Sequence, residues 1–106
     1  MLEIHVNFPN AEEASAISRE AVEKRLAACA NVFGQVHSFY WWDEAVRSED
    51  EVAVVLKTSA RSVNALIEFI ARKHSDAVPG IVVYRPTQAH APYLEWIERE
   101  TRHEAG

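Results

Sequence analysis

A run of aromatic residues, Ser38-Phe39-Tyr40-Trp41-Trp42, ends a segment of alternating side chains from Gln35 to Trp42. A second alternating segment runs from Glu51 to Thr58, and residues 43–47 between the two are typical of a turn. We therefore predict a long β-hairpin, entered through a bulge or kink at Gly34, whose far end carries large apolar side chains on both faces. Since a chain of 106 residues buries only about two thirds of its unfolded surface, we expect something outside the subunit to cover these aromatic groups.

The residues before the hairpin predict one strand and one helix. Leu2 to Phe8 alternates apolar and polar side chains, as a strand with one dry face does, and Pro9 ends it. Asn10, followed three residues later by Glu13, resembles a capping box. Apolar residues at helical spacing then predict helix one from Ala11 to Ala28.

The residues after the hairpin predict a second helix, a short strand and a third helix. Ser59 is placed to cap the second helix, whose apolar residues recur at helical spacing. The apolar residues from Ile81 to Tyr84 predict a strand, which Pro86 ends. Pro92 suits the first turn of a third helix from Ala91 to Arg102.

This order of elements predicts the fold class. A single α+β domain over residues 1–106, with the order βαββαβ and a C-terminal helix, matches the split βαβ sandwich of ferredoxin-like folds. Two helices then cover one face of a four-stranded antiparallel sheet and leave the other face open. Because an exposed apolar face and a long edge strand both favour association, we predict a ring of subunits.

Composition and charge exclude several kinds of partner. The chain has 11 basic and 16 acidic residues and a formal net charge of -5, whereas phosphate backbones bind clustered Lys and Arg, so we expect no nucleic acid partner. No apolar run reaches the roughly 18–20 residues that a membrane span needs, and Met1 begins a strand pattern rather than a signal peptide. With Cys29 as its only cysteine, the chain suits a reducing compartment, and we expect a cytoplasmic protein.

Four segments of the chain carry specific motifs. They are the exit of helix one, from Glu23 to Asn31; the aromatic strand, from Ser38 to Trp42; the return strand, with Glu51-Val52 and Leu56-Lys57-Thr58; and the last helix, with Tyr93-Leu94-Glu95-Trp96-Ile97. Together these segments resemble the CutA, or divalent-cation tolerance, protein family. The similarity covers nearly the whole chain without large insertions. It implies a ferredoxin-like subunit in a tight homotrimer, similar in architecture to the PII nitrogen-signalling proteins, with the hairpins pairing across subunits.

The same resemblance implies a protein that binds or responds to divalent cations such as copper and has no defined catalytic reaction. Of the family's usual residues after helix two, this chain keeps His74 and Pro79. Where some members carry a Cys at the end of strand one and a second His before the matching one, this chain has Asn7 and Lys73. An amide and a cationic side chain both weaken the binding of a soft metal.

His74 and Glu51 are the candidate metal ligands. His74 follows helix two, where a protonated imidazole interacts favourably with the negative helix end, so a capping role and a ligand role are both open. Glu51 lies on the polar side of the return strand. If trimer packing brings Glu51 near His74, the pair offers an oxygen and a nitrogen suited to Cu or Zn, which water or another subunit must complete.

The cysteine and the other histidines have structural interpretations. Cys29 falls on the apolar stripe of helix one, where a free cysteine behaves as a small hydrophobe, and its sequence neighbours offer no cation to activate the thiol. His5 and His37 occupy polar positions of strands, and His90 and His103 lie in a loop and in the tail. We therefore expect structural roles for these side chains.

Three functions are open from the sequence. The first is a non-catalytic cytoplasmic homotrimer that binds or responds to divalent metal ions. The second is a PII-like trimeric sensor that holds a small anionic or nucleotide ligand in clefts between subunits. The third is a structural trimer that presents a surface to a partner protein. The chain has neither the Gly-x-Ser-x-Gly nor the His-Glu-x-x-His motif of hydrolases, so we do not expect an enzyme.

Overall fold

The computed structural model of the chain describes residues 1–101. Its elements follow the predicted order, and they are β1 (Leu2–Phe8), α1 (Ala11–Glu23), β2 (Cys29–Trp42), β3 (Ala45–Thr58), α2 (Val63–Lys73), β4 (Val82–Tyr84) and α3 (Ala91–Glu100). The strands form one antiparallel sheet in the order β2-β3-β1-β4. The predicted ferredoxin-like arrangement is thus confirmed. His103 and the predicted helix end at Arg102 lie outside the described residues.

The core lies between one face of the sheet and the helices α1 and α2. Every second residue of β1, from Leu2 to Phe8, is buried, which confirms the alternation predicted for this strand. The helices contribute the buried side chains Ala14, Ile17, Ala21, Leu66, Phe69 and Ile70. Each large apolar side chain that is fully buried stabilises the fold by about 1.5–3 kcal/mol relative to an exposed one. The core therefore fixes which face of β1 and β3 meets the helices and which face stays open.

Helix α1 begins as predicted but ends earlier. Its N-cap is Asn10, whose side-chain oxygen accepts the backbone N–H of Glu13 at 2.8 Å. At the other end Arg25 adopts a left-handed conformation with φ 60°, and the N–H of Leu26 donates to the carbonyl oxygen of Ala21 at 3.0 Å. Together with the hydrogen bond from the N–H of Arg25 to the carbonyl oxygen of Val22 at 3.0 Å, this is a Schellman stop. The predicted continuation to residue 28 is therefore wrong, because residues 26–28 are buried in a loop rather than on a helix stripe.

The hairpin is longer than its sequence pattern indicates. β2 and β3 have 14 residues each, and a register shift between Val32 and Gln35 confirms the predicted bulge around Gly34. The predicted turn over residues 43–47 is too long, since residues 45–47 pair with residues 40–42. The turn consists of Asp43 and Glu44, whose φ angles are 50° and 63°. Two left-handed residues form the type I′ turn, which matches the twist of the strands.

Replacing Glu44 with Gly is expected to stabilise the protein. A left-handed residue with a side chain costs about 1–2 kcal/mol, and Gly recovers part of this while losing more entropy on folding, so we expect a net gain of about 0.5–1 kcal/mol. Thermal unfolding at fixed protein concentration measures the gain. Glu44→Ala is the control, because it removes the same charge and keeps the strained backbone. Equal melting temperatures for the two variants would contradict the turn assignment.

Helix α2 starts later than its sequence pattern indicates. Its N-cap position is Ser62, and the helix begins at Val63 without a side-chain cap. The carbonyl oxygen of Ser59 accepts the N–H groups of Ser62 and Val63 at 3.1 and 3.0 Å. The predicted capping by the Ser59 side chain is wrong, because its buried hydroxyl has no hydrogen-bond partner within residues 1–101.

Candidate functional site

A groove of about 730 Å³ lies along the open face of the hairpin. Residues two apart on a strand share a face, so Ser38 and Tyr40 of β2 lie on the same side as their β3 partners Glu49 and Arg47. The loop after α2 closes the groove from the other direction with residues 75–78 and Gly80, and Asn7 lies at the end of β1. The groove therefore combines a strand surface with a loop that is distant in sequence.

Glu51 lines this groove and is half-buried. It pairs with Val36 across the hairpin and lies on the open face, where the alternation predicts it. Ser75 and Asp76 line the same groove. Glu51 thus faces the residues that follow His74, although the imidazole ring itself is not part of the lining.

The side chain of His74 is completely buried at the C-cap of α2. Its Nε2 lies 2.8 Å from the carbonyl oxygen of Asn7, and its Nδ1 accepts the N–H of Asp76 at 3.0 Å. A carbonyl oxygen only accepts and an amide N–H only donates, so the ring is neutral with its hydrogen on Nε2. The ring also stacks on Phe8 with the centroids 4.7 Å apart. Within one subunit His74 therefore joins β1 to the loop after α2.

Two carboxylates approach the other side of the His74 ring. The Oε2 atom of Glu13 lies 3.8 Å from Nδ1, and Oδ2 of Asp76 lies 3.9 Å from it. The Glu13 oxygen is already engaged, because it accepts both the N–H and the hydroxyl of Ser75 at 3.0 Å. Within the described part of the chain, no group of three or more His, Cys, Asp or Glu side chains is arranged to hold a metal ion. The residues of one subunit therefore do not make a complete metal site.

Cys29 does not lie on helix one, where the sequence pattern predicts it, and a cationic side chain lies near its thiol. It is half-buried at the start of β2, and its cross-strand partner is Lys57. Its Sγ lies 3.8 Å from the hydroxyl of Tyr93, and Nζ of Lys57 lies 5.5 Å from the centre of that ring. Desolvation lowers the pKa of Lys57, but Tyr93, Cys29 and Glu3 outweigh it and leave this pKa above its ordinary value. Lys57 is distant from Cys29 in sequence, and the pairing of β2 with β3 brings the two residues together.

A network of three polar side chains lies on the opposite face of the hairpin. Nδ1 of His37 lies 2.6 Å from a carboxylate oxygen of Asp50, and its Nε2 lies 2.8 Å from the hydroxyl of Ser48. The order of these groups matches a Ser-His-Asp catalytic triad. All three side chains are exposed, however, and the groove lies on the other face. The network therefore connects β2 to β3.

Large apolar side chains are exposed at the far end of the hairpin. The exposed fractions are 70% for Phe39, 74% for Trp41, 51% for Trp42 and 59% for Val46. We call these four residues the aromatic patch. Phe39, Trp41 and Val46 point to the helix side of the sheet, beyond the part that the helices cover, and Trp42 points to the open side. This confirms the prediction that both faces of the hairpin end are apolar.

Within residues 1–101, no helix combines the length and the apolar character needed to cross a membrane.

Comparison with known proteins places the chain in a family. The family model described as CutA1 divalent ion tolerance protein matches residues 2–100. The chain is 38% identical over 96 residues to protein CutA of Mus musculus. The aligned region is 91% of this chain and 54% of the mouse protein. It thus spans about half the length of the vertebrate and plant relatives that it matches.

Other relatives are similar along almost their whole length. The chain is 30% identical to the divalent-cation tolerance protein CutA of Archaeoglobus fulgidus, over 90% of this chain and 92% of that protein. The solved structure of the divalent cation tolerance protein from Thermus thermophilus is 31% identical, with a TM-score of 0.92 over 96% of this chain and 100% of the other. On this match of fold, length and sequence, the chain belongs to the CutA1 divalent ion tolerance protein family.

Proposed function

We propose that this chain forms a cytoplasmic homotrimer that binds or responds to divalent metal ions such as copper, and that it catalyses no reaction. The observation that carries the proposal is the aromatic patch, in which Trp41 is 74% exposed. A soluble subunit rarely leaves so large a group of apolar side chains in water unless a partner covers it. Membership of a family described by divalent ion tolerance supports the metal part of the proposal.

The sheet edges support association with further copies of the chain. In the sheet formed by residues 1–101, β2 is an edge strand of 14 residues, so alternate backbone groups along its outer side have no strand partner there. β4 is the opposite edge, and its residues Val82 and Tyr84 are half exposed. A closed ring of copies would satisfy both edges and would cover Phe39, Trp41 and Val46 at the same time.

We retain Glu51 and His74 as the proposed metal ligands. Glu51 lines the groove in the single subunit. Nδ1 of His74 accepts the N–H of Asp76, so a metal ion at this nitrogen would have to displace that hydrogen bond. Because the set within one subunit is incomplete, water or a neighbouring copy must supply the remaining ligands.

Removing a ligand is expected to reduce metal uptake. Since loss of even a supporting residue commonly lowers metal affinity about 10-fold to 100-fold, we expect at least a tenfold loss for Glu51→Gln and for His74→Ala in equilibrium dialysis against Cu²⁺ and Zn²⁺. Glu95→Gln is the matched control, because Glu95 is an exposed carboxylate on α3. Uptake by His74→Ala equal to that of the unmodified protein would remove His74 from the site.

The groove favours a second candidate function, a PII-like sensor. Its volume of about 730 Å³ falls in the range of small-molecule sites. It lies on the open face of the sheet, where a neighbouring copy would form the remaining wall. Isothermal calorimetry with small ligands tests this function independently of the metal measurements.

A further inference from the structure

The charge of the groove lining has one dominant sign. Glu49, Glu51 and Asp76 line it, and among the described residues Arg47 is the one Lys or Arg side chain in the lining. Within residues 1–101, neither Glu49 nor Glu51 forms an ion pair with a Lys, Arg or His side chain. The lining therefore carries an excess of negative charge, which repels a nucleotide or another anion and attracts a cation.

Aromatic rings stand beside these carboxylates. Tyr40 and Trp42 lie on the groove side of the hairpin, and Tyr40 is half-buried there. The faces of Trp and Tyr rings attract ammonium groups, most strongly those of organic cations whose alkyl groups also need cover from water. A bare metal ion gains little from such rings, since it prefers oxygen, nitrogen or sulfur ligands.

Tyr40 lies on the same face of the hairpin as Glu49 and Glu51. Desolvation raises the pKa of the Tyr40 phenol, and Glu49, Glu51 and Asp76 raise it further. The negative potential and the aromatic surface coincide in one part of the groove.

From this juxtaposition we propose that the groove binds a small organic cation, a primary or quaternary amine, with its nitrogen among Glu49, Glu51 and Asp76 and its alkyl groups on Tyr40 and Trp42. The inference rests on the small-ligand function proposed above, and it names the ligand class. The proposed ligand is thus an organic cation in place of the anionic or nucleotide ligand that the PII-like architecture alone suggests. Screened attraction also predicts that the affinity falls as salt rises, because charges in water interact over only about 10 Å at 0.1 M salt.

The test is calorimetric titration of the 106-residue protein with tetramethylammonium chloride and with n-butylammonium chloride. We expect saturable binding that weakens about threefold to tenfold in Glu49→Gln and in Trp42→Leu, the range of one ion or cation–π contact. Glu95→Gln, which removes an exposed carboxylate on α3, is expected to bind as the unmodified protein does. ATP is expected to give no saturable heat. Thermal unfolding confirms that each variant is folded.

Each further outcome has a defined meaning. No saturable heat with either amine, or equal affinity in Glu49→Gln, overturns the inference. Loss of amine binding in Glu49→Gln with full retention in Trp42→Leu also overturns it, because the carboxylates alone would then explain the attraction. Sedimentation of the same samples tests the trimer separately. If the protein sediments as a trimer and gives no saturable heat with either amine, only this inference is contradicted. If it sediments as a monomer, the proposed assembly is contradicted.

Discussion

Replacing Trp41 with Ala is expected to convert the proposed trimer to monomer at low micromolar concentration. The indole is 74% exposed in the single subunit, and the proposed assembly covers it. Truncating a large aromatic side chain in a packed environment costs about 3–5 kcal/mol, which is more than a hundredfold in each interface equilibrium. Sedimentation velocity over a concentration series measures the shift. Because Trp41 is exposed in the subunit, we expect the monomeric variant to remain folded.

The matched control for this experiment is Trp96→Ala. Trp96 lies on α3 and stacks on Tyr93 with the ring centroids 5.8 Å apart, so its loss tests an indole outside the hairpin. We expect this variant to lose some stability and to keep its assembly state. If Trp41→Ala sediments as the unmodified protein does, the aromatic patch is not an assembly surface. The third function, presentation of a surface to a partner protein, would then be favoured.

Replacing His74 with Ala is expected to lower the free energy of unfolding by about 2–4 kcal/mol in metal-free buffer. The substitution leaves the carbonyl oxygen of Asn7 without its donor and the N–H of Asp76 without its acceptor. An unsatisfied buried polar group costs about 1–3 kcal/mol, and the ring stacked on Phe8 is lost as well. Denaturant unfolding in the presence of a chelator, at fixed protein concentration, measures the effect.

His90→Ala is the control for the His74 experiment. His90 is exposed at the N-cap position of α3 and makes no side-chain capping hydrogen bond, so we expect a change within about 0.5 kcal/mol. A His74→Ala variant as stable as this control would show that the buried contacts contribute little. Denaturant unfolding and equilibrium dialysis together separate the structural role of His74 from a ligand role. Loss of stability with unchanged metal uptake assigns His74 to the fold alone.

The mistakes in the predicted element bounds have a common physical origin. Apolar residues 26–28 continue the helical spacing of α1, but the left-handed Arg25 ends the helix first. The sequence pattern assigns residues 45–47 to the turn because the second alternating segment is placed from Glu51 onward, yet they pair across the hairpin because two left-handed residues suffice for the turn. Local periodicity reports which face a side chain prefers and is insensitive to a single backbone reversal.

The candidate site was predictable in part. Alternation along β3 places Glu51 on the open face, and the position of His74 after α2 follows from the helix pattern. The partners of both residues come from elsewhere in the chain. The Asn7 carbonyl that binds His74 is 67 positions away, and Lys57 reaches Cys29 only through the strand register.

The order of helices and strands, the aromatic hairpin and the resemblance to the CutA family follow from the chain alone, because alternation and helical spacing are local properties that survive without knowledge of the fold. The closed hydrogen-bond set around His74 and the acidic, aromatic groove appear only in the folded subunit. Each joins segments that are far apart in sequence, and their contacts depend on strand register and on the path of the loop after α2. The side chains supply the chemistry, but long-range packing decides which of them meet.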